Sequence, residues 1–265
     1  MLLSFVIVEY NSLGEVKKCL SSLDSLKGIE HEVIVSSNSS YDTAKRNLLL
    51  KESPANTKWV FNDRNGGFAY AMNRGLEKAS GEILVIMNPD IELRYGIGEM
   101  YRFLVSHPEL GAVAPQVIDR DGNLQDSARP YVTPWRFFKR QMKRIATGQE
   151  VVLNPKMDYN KAQTVDWVIG TMIMATREAY NRTGGLSEAY FMYGEDLDWC
   201  TRIRKAGLEI AFFPGAQIIY KGTRRARHSW KFTKIFFKSH LHYWTKFGPF
   251  SLFLPHRQDI NFMTK

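Results

Sequence analysis

The chain has 265 residues, 44% of them hydrophobic and 24% charged, which suffices for one large α/β domain or two small ones. Its two cysteines, Cys19 and Cys200, lie far apart within helical patterns; this excludes a disulfide framework or a cysteine metal site and fits a reducing cytoplasm. The formal net charge of +9 is uneven, with no acidic residue between Glu209 and Asp259, so both an anionic partner and a plain solvated face stay open.

Leu2 to Val8 is too short to span a bilayer, lacks a basic flank and ends at Glu9; it reads as a buried strand, not a signal peptide. Ser12-Leu13-Gly14-Glu15 has the form of a capping box and predicts a helix to about Leu26. A second strand follows at His31 to Val35, a helix at Tyr41 to Lys51 and a third strand at Lys58 to Phe61. Gly67 to Ala79 is helical, and Ile83 to Met87 is a fourth strand. Strands alternating with helices predict an α/β fold, a mostly parallel sheet with helices on both faces. Ligands of such sheets sit beyond the carboxyl ends of the strands, where strand order reverses. Tyr10-Asn11, Ser37-Asn38, Asn62 to Gly67 and Asn88-Pro89-Asp90 all follow strands.

Beyond Gly111 the pattern changes. Asp119 to Asn123 signals a turn between extended segments, hence a hairpin. Pro130 to Gly148 is basic and aromatic and reads as a loop containing a helix. Val165 to Ala175 reads as one strand and Glu195 to Ala206 as a helix stopped by Gly207.

Pro89 ends the fourth strand and presents Asp90 at its carboxyl end, where a carboxylate can hold Mg²⁺ or Mn²⁺ bridging two phosphates; a simple turn aspartate fits as well. Glu195, Asp196 and Asp198 start a helix, with Glu195 and Asp198 three apart on one face. Acids there interact favourably with the helix dipole by about 0.3–1 kcal/mol. They also follow Phe191-Met192-Tyr193-Gly194, an aromatic turn suited to lining a pocket, and clustered carboxylates raise one another's pKa toward that of a general base. Gly66 and Gly67 let backbone N–H groups approach a phosphate or sugar at a helix start, or serve an ordinary strand-to-helix connection.

In chain order, Val8-Glu9-Tyr10-Asn11, Ser37 to Ser40, Asn65-Gly66-Gly67-Phe68-Ala69, Asn88-Pro89-Asp90, Gly111 to Pro115 with Asp121 to Gln125, Val165 to Gly170 and Phe191 to Trp199 make a series. The series resembles the family 2 glycosyltransferases, most of all their rhamnosyltransferase-like branch, over roughly residues 3 to 245. The resemblance implies a GT-A fold, a nucleotide-diphosphate sugar donor, a divalent metal and inverting transfer to a hydroxyl. Tyr10 and Asn11 would lie near the base and ribose and Asn65 near the donor sugar and diphosphate, with Ser37, Asn38, Gly66, Gly67 and Asn88 also binding the donor. Asp90 would hold the metal, Asp196 would be the catalytic base and Glu195 would touch donor or acceptor hydroxyls. Trp167, Gly170, Tyr193 and Asp198 would fall on the acceptor side.

Two positions depart from the family pattern. Ser37 stands where the family usually has a base-reading aspartate, and Tyr220 stands where it commonly carries a metal-binding histidine. Lys221, Arg224 or Arg225 would then neutralise the diphosphate in place of a metal. These departures also raise a rival reading, an inactive member of the fold that only binds nucleotide.

The implied organisation is a donor half over about 1–110 and an acceptor half over about 111–225 in one domain, then a basic aromatic tail over 226–265. From Trp230 to Phe247 the tail sets Lys231, Lys234, Lys238 and His242 against Phe232, Phe236, Tyr243, Trp244 and Phe247. That pattern suits a helix lying on anionic lipid or one packing its apolar side on the core. The expectation is a cytoplasmic enzyme, peripheral on the inner face of the plasma membrane, acting on a lipid-linked or glycan acceptor. The charge alone would allow nucleic-acid binding, but no recognisable module supports it.

Overall fold

A computed structural model of the chain describes residues 2–24, 26, 28–147, 153–154, 157–220, 230–248, 260 and 262. The first half runs β1 (Leu3–Glu9), α1 (Leu13–Leu23), β2 (His31–Ser37), α2 (Thr43–Glu52), β3 (Thr57–Phe61), α3 (Phe68–Leu76), β4 (Ile83–Met87), β5 (Ile91–Tyr95) and α4 (Ile97–Ser106). The second half runs β6 (Leu110–Ile118), β7 (Ala128–Arg129), α5 (Pro134–Thr147), β8 (Gln163–Thr164), β9 (Trp167–Val168), β10 (Met172–Thr176), α6 (Arg177–Thr183), α7 (Glu195–Lys205), β11 (Glu209–Tyr220) and α8 (Trp230–Phe247).

The main sheet has the order β3-β2-β1-β4-β10-β6-β11-β5, with β8 added to β11. Its first four strands are parallel. The parallel expectation stops there: β10 is antiparallel to both neighbours, β6 and β11 run parallel, and β5 returns antiparallel along β11. The short hop from β4 to β5 has no room for a crossover helix, so β5 cannot join β4 in parallel and pairs with β11 instead.

Every residue of β1 is buried, because the sheet is covered on both faces. Leu3, Phe5 and Ile7 point to a layer formed with α1 and α4; Val6 and Val8 point to another formed with α3, α6 and α7. Tyr243 and Phe247 of α8 belong to this second layer, so the apolar side of the tail helix packs on the core.

Local departures have identifiable causes. The Ser12 capping box does not form: Ser12 N–H donates to Glu9 Oε1 at 2.8 Å, and its hydroxyl accepts from Tyr10 N–H and makes no cap. Helix α2 starts two residues later than expected, where Asp42 accepts from Lys45 N–H as a true cap. The turn at 119–123 closes with a single bridge, Ile118 to Leu124, and no hairpin ladder. The strand expected over Val165 to Ala175 is broken at residues 169–171.

Candidate active site

Strand order reverses between β1 and β4, since β2 and β3 lie on one side of β1 and β4 on the other. A crevice beyond their carboxyl ends is the expected ligand position in such a sheet. Tyr10 is 43% exposed there, and Asn11 is exposed with φ of 51°, a left-handed conformation that asparagine tolerates. Asn11 is held by its N–H donating to Ser39 Oγ at 2.7 Å. Across the crevice, Asn88, Pro89 and Asp90 are half-buried at the end of β4.

The floor of this crevice is a carboxylate that sequence reasoning passed over. Glu9 is fully buried at the end of β1. Its Oε1 accepts from Ser12 N–H, Ser39 Oγ and Tyr41 Oη, and its Oε2 accepts from Ser37 Oγ at 2.5 Å. Ser37 and Asn38, expected to touch the donor, are therefore turned inward. Ser37 is fully buried against Glu9, and Asn38 is 6% exposed with its amide donating to Asn65 Oδ1 and Gly67 O. Their part is to shape the loop that presents Asn11. The available signal was an acid at the last position of a buried strand, opposite a run of hydroxyl residues on β2.

Asn65 Oδ1 also accepts from Gly67 N–H at 3.1 Å, which sets the start of α3. At Gly67 φ is 98°, and a Cβ would lie 2.3 Å from Phe191 O. That contact exists because Phe68 N–H donates to Phe191 O at 2.9 Å. The α3 start is thus stitched to the turn before the acid cluster. One helical turn on, Asn73 exchanges two hydrogen bonds with the backbone of Leu186.

The acid cluster divides into separate roles. Asp196 is half-buried, its Oδ2 accepting from Gly170 N–H at 2.8 Å and its Oδ1 from Leu197 N–H at 2.8 Å. Glu195 is 7% exposed and its Oε2 has no hydrogen-bond partner. Burial raises the pKa of both; the Asp196 charge adds to the rise at Glu195, whereas the two backbone N–H donors and Arg129 pull Asp196 back down. Asp196 is the better-stabilised carboxylate of the two, since it holds two backbone N–H donors. Asp198, expected on the acceptor side, is fully buried. It accepts from Arg202 Nε at 2.6 Å, Lys246 Nζ at 2.6 Å and Tyr190 Oη at 3.2 Å, which leaves no face toward a ligand. The helix period explains the division: two residues past Asp196, a side chain has rotated to the far side of α7.

Gly170 closes on Asp196 so tightly that a Cβ would stand 3.3 Å from Asp196 Cβ. Asn88 N–H donates to Thr171 O at 2.9 Å, so the end of β4 and the Asp196 support are consecutive links of one backbone. Trp167 is only 5% exposed; its indole donates to Pro130 O, and Arg129 stacks on its ring at 5.2 Å. Tyr193 has φ of 69° in the turn before α7, and its ring meets Phe236 of α8 at 5.8 Å. Arg129 was not anticipated. It is held by Asp126 at 2.8 Å, and an acid and an arginine three residues apart beside the Asp121 to Gln125 motif were the available clue.

Lys221, Arg224 and Arg225 lie outside the described residues, as does His228. Tyr220 pairs directly with Ile91, which puts the position of the family's histidine beside Asp90. Among the described residues no three histidine, cysteine or acidic side chains converge as a metal site. Asp90 offers one carboxylate, a donor set that fits a metal arriving with a diphosphate better than a resident ion.

The family described as Glycosyl transferase family 2 matches residues 4–184, two thirds of the chain. The chain belongs to that family. A second description, N-terminal domain of galactosyltransferase, matches residues 154–228, the stretch carrying Asp196. Among curated relatives, this glycosyltransferase is 26% identical to an N-acetylglucosaminyl-diphospho-decaprenol L-rhamnosyltransferase of Mycobacterium tuberculosis, over 82% of the chain and 75% of the relative. It is 24% identical to rhamnosyltransferase WbbL of Escherichia coli, over 81% of each. The GT-A fold is shared with a mannosyltransferase of Pyrobaculum calidifontis solved with GDP-Man and Mn²⁺, at TM-score 0.63 and 19% identity, covering 92% of this chain and 64% of that one. It is shared also with GalNAc-T7 solved with UDP, GalNAc and Mn²⁺, at TM-score 0.59 and 17% identity; the chain covers 43% of that protein's length.

Proposed function

We propose that this glycosyltransferase moves a sugar, with rhamnose the leading candidate, from a nucleotide-diphosphate donor to a hydroxyl of a lipid-linked glycan acceptor, with inversion. The observation that carries the reading is Asp196: a half-buried carboxylate fixed by Gly170 and Leu197 N–H groups, beside a buried Glu195. The acceptor oxygen attacks the anomeric carbon from the face opposite the diphosphate. The bond from carbon to phosphate oxygen breaks, with its electron pair leaving on the diphosphate, and the hydroxyl proton passes to Asp196. Tyr10 and Asn11 border the base and ribose, Asn65 and Asn88 face the sugar and diphosphate, and Arg129 supports the charge of Asp196. A divalent metal, when bound, would be held by Asp90 and would neutralise charge developing on the diphosphate. The M. tuberculosis relative's name specifies a diphospho-decaprenol acceptor, which supports a lipid-borne acceptor here.

Transfer from a panel of nucleotide sugars to a short-chain lipid diphosphate acceptor tests the reading. Asp196→Asn is expected to lower kcat at least 100-fold while donor binding, read by thermal shift, persists. Product with the donor's own anomeric configuration would overturn inversion, and an Asp196→Asn enzyme with unchanged kcat would overturn the assignment. Activity indifferent to chelator would favour Lys221, Arg224 or Arg225 over a metal at Asp90.

A further inference from the structure

The apolar side of α8 that the sequence offered to lipid is spent on the core, yet another set of large apolar side chains remains in solvent. Helix α5 exposes Trp135, Phe138 and Met142 at 62%, 56% and 47%, and α8 exposes Phe237 and Leu241 at 52% and 61%. On each helix the spacing is three or four residues, which makes a stripe. The helices lie nearly a hundred residues apart in sequence but meet at Phe137, whose ring contacts Phe236, Phe237 and Trp244 at 5.5–5.7 Å and His240 at 4.8 Å. Trp135 stacks on Phe138, the chain neighbour of Phe137, and Phe237 touches Phe137 itself. Both stripes therefore border one seam.

The charge around the seam has one sign. Arg136, Lys139 and Lys143 of α5 and Lys234 and Lys238 of α8 are exposed, and the sequence has no acidic residue between Asp126 and Glu150 or between Glu209 and Asp259. Exposed aromatic and aliphatic groups among cations complement a surface that is anionic outside and apolar beneath, which is the description of an anionic lipid bilayer. The same seam adjoins the catalytic turn: Ser239 Oγ of α8 donates to Met192 O at 3.0 Å, three residues before Glu195.

We propose that the paired α5 and α8 helices form a membrane-docking face, with Trp135, Phe138, Met142, Phe237 and Leu241 entering the interface of an anionic bilayer and the surrounding lysines and arginines facing its head groups. The face sets the Asp196 site at the bilayer surface, where a lipid-borne acceptor presents its hydroxyl. This placement rests on the lipid-linked acceptor reading above; the docking itself does not.

Co-sedimentation of the full chain with vesicles tests the proposal. Binding to phosphatidylglycerol vesicles is expected, with at least tenfold weaker binding to phosphatidylcholine vesicles and weakening by salt, since each basic residue near an anionic surface contributes about fivefold. The quadruple substitution Trp135→Ser, Phe138→Ser, Phe237→Ser and Leu241→Ser should lower binding at least tenfold. Leu48→Ser with Leu50→Ser, equally exposed on α2, should leave it unchanged. Far-UV circular dichroism and donor-induced thermal shift should match wild type in both variants. Equal binding by wild type and the quadruple variant, or no binding to anionic vesicles, would overturn the docking face. So would a solution dimer that these substitutions dissociate, because the face would then belong to a second copy. Loss of vesicle binding with transfer to a water-soluble acceptor retained would support docking; failure of transfer with docking intact would count only against the acceptor reading.

Discussion

Asp198 is a buried structural carboxylate two residues from Asp196, the proposed catalytic base, and replacing it by asparagine tests the distinction. In the native protein its two oxygens accept three hydrogen bonds of 2.6–3.2 Å from Arg202, Lys246 and Tyr190, and it is fully buried. Burial, with the nearby Asp198 charge, keeps the Tyr190 hydroxyl protonated and donating. Asparagine retains one acceptor oxygen and turns an NH₂ group toward the donors on the other, so either the Arg202 bond at Oδ1 or the Lys246 and Tyr190 bonds at Oδ2 are lost, and the charge is lost in both cases. Hydrogen bonds to a charged group each contribute about 1.5–3 kcal/mol, and breaking a buried ion pair costs about 3–5 kcal/mol. The Arg202 and Lys246 side chains are 20% and 35% exposed and regain water, and Arg202 keeps its bonds to the carbonyls of Thr183 and Gly185. The net loss should be about 2–4 kcal/mol, read as a lower urea midpoint at unchanged m-value. Below the unfolding transition, kcat should change less than tenfold. A variant of native stability whose kcat has collapsed would refute this and return Asp198 to the acceptor site.

Three further outcomes follow from the same geometry. Glu195 has its folded pKa raised by burial and by Asp196, so the folded state binds more protons than the unfolded one; stability should fall as pH rises above the ordinary glutamate range, and Glu195→Gln should flatten that slope in urea titrations at several pH values. Gly67→Ala puts a Cβ 2.3 Å from Phe191 O at a φ of 98°; a loss of about 1–3 kcal/mol and a higher KM for donor are expected, and wild-type values of both would contradict the stitch. Glu9→Gln takes the charge from under Ser37, Ser39, Tyr41 and Ser12, so nucleotide affinity by calorimetry should drop roughly tenfold while kcat at saturating donor changes little, since an amide keeps only one acceptor for four donors.

Local pattern made the parallel core legible. The span Ile83–Met87 was read to the residue, and the other three parallel strands were placed to within two residues, because each is carried by a short apolar run, fully buried in β1 and β4 and half-buried at the edge strand β3. Strand β5 and helix α4 escaped notice: β5 alternates buried with exposed residues over only five positions, and its partner β11 comes more than a hundred residues later. The break at residues 169–171 has a non-local cause too, since Ile169 N–H, Gly170 N–H and Thr171 O are taken by Ser127, Asp196 and Asn88. In the candidate site, the helix start that carries Asp196 was legible because it and the aromatic turn before it are contiguous. The parts played by Glu9 and Asp198 were not, because Glu9 is fixed by hydroxyls 28–32 residues away and the enclosure of Asp198 is completed by Lys246, 48 residues away.

Those long-range ties bear on how the two halves cooperate. Asp196 is oriented by Gly170, the next residue receives the N–H of Asn88 at the end of β4, and the turn before α7 receives the N–H of Phe68 at the start of α3. The start of α3 and the end of β4 thus fix Asp196, the carboxylate proposed to receive the acceptor's proton. If the donor binds as proposed, any shift it causes in the Gly67 turn or the end of β4 is expected to reach Asp196 through Phe191 or Gly170. The ties to α3 and β4 run between backbone atoms, and the final bond from Gly170 N–H uses the Asp196 side chain; changes that alter backbone conformation, such as Gly67→Ala, should therefore uncouple donor binding from kcat.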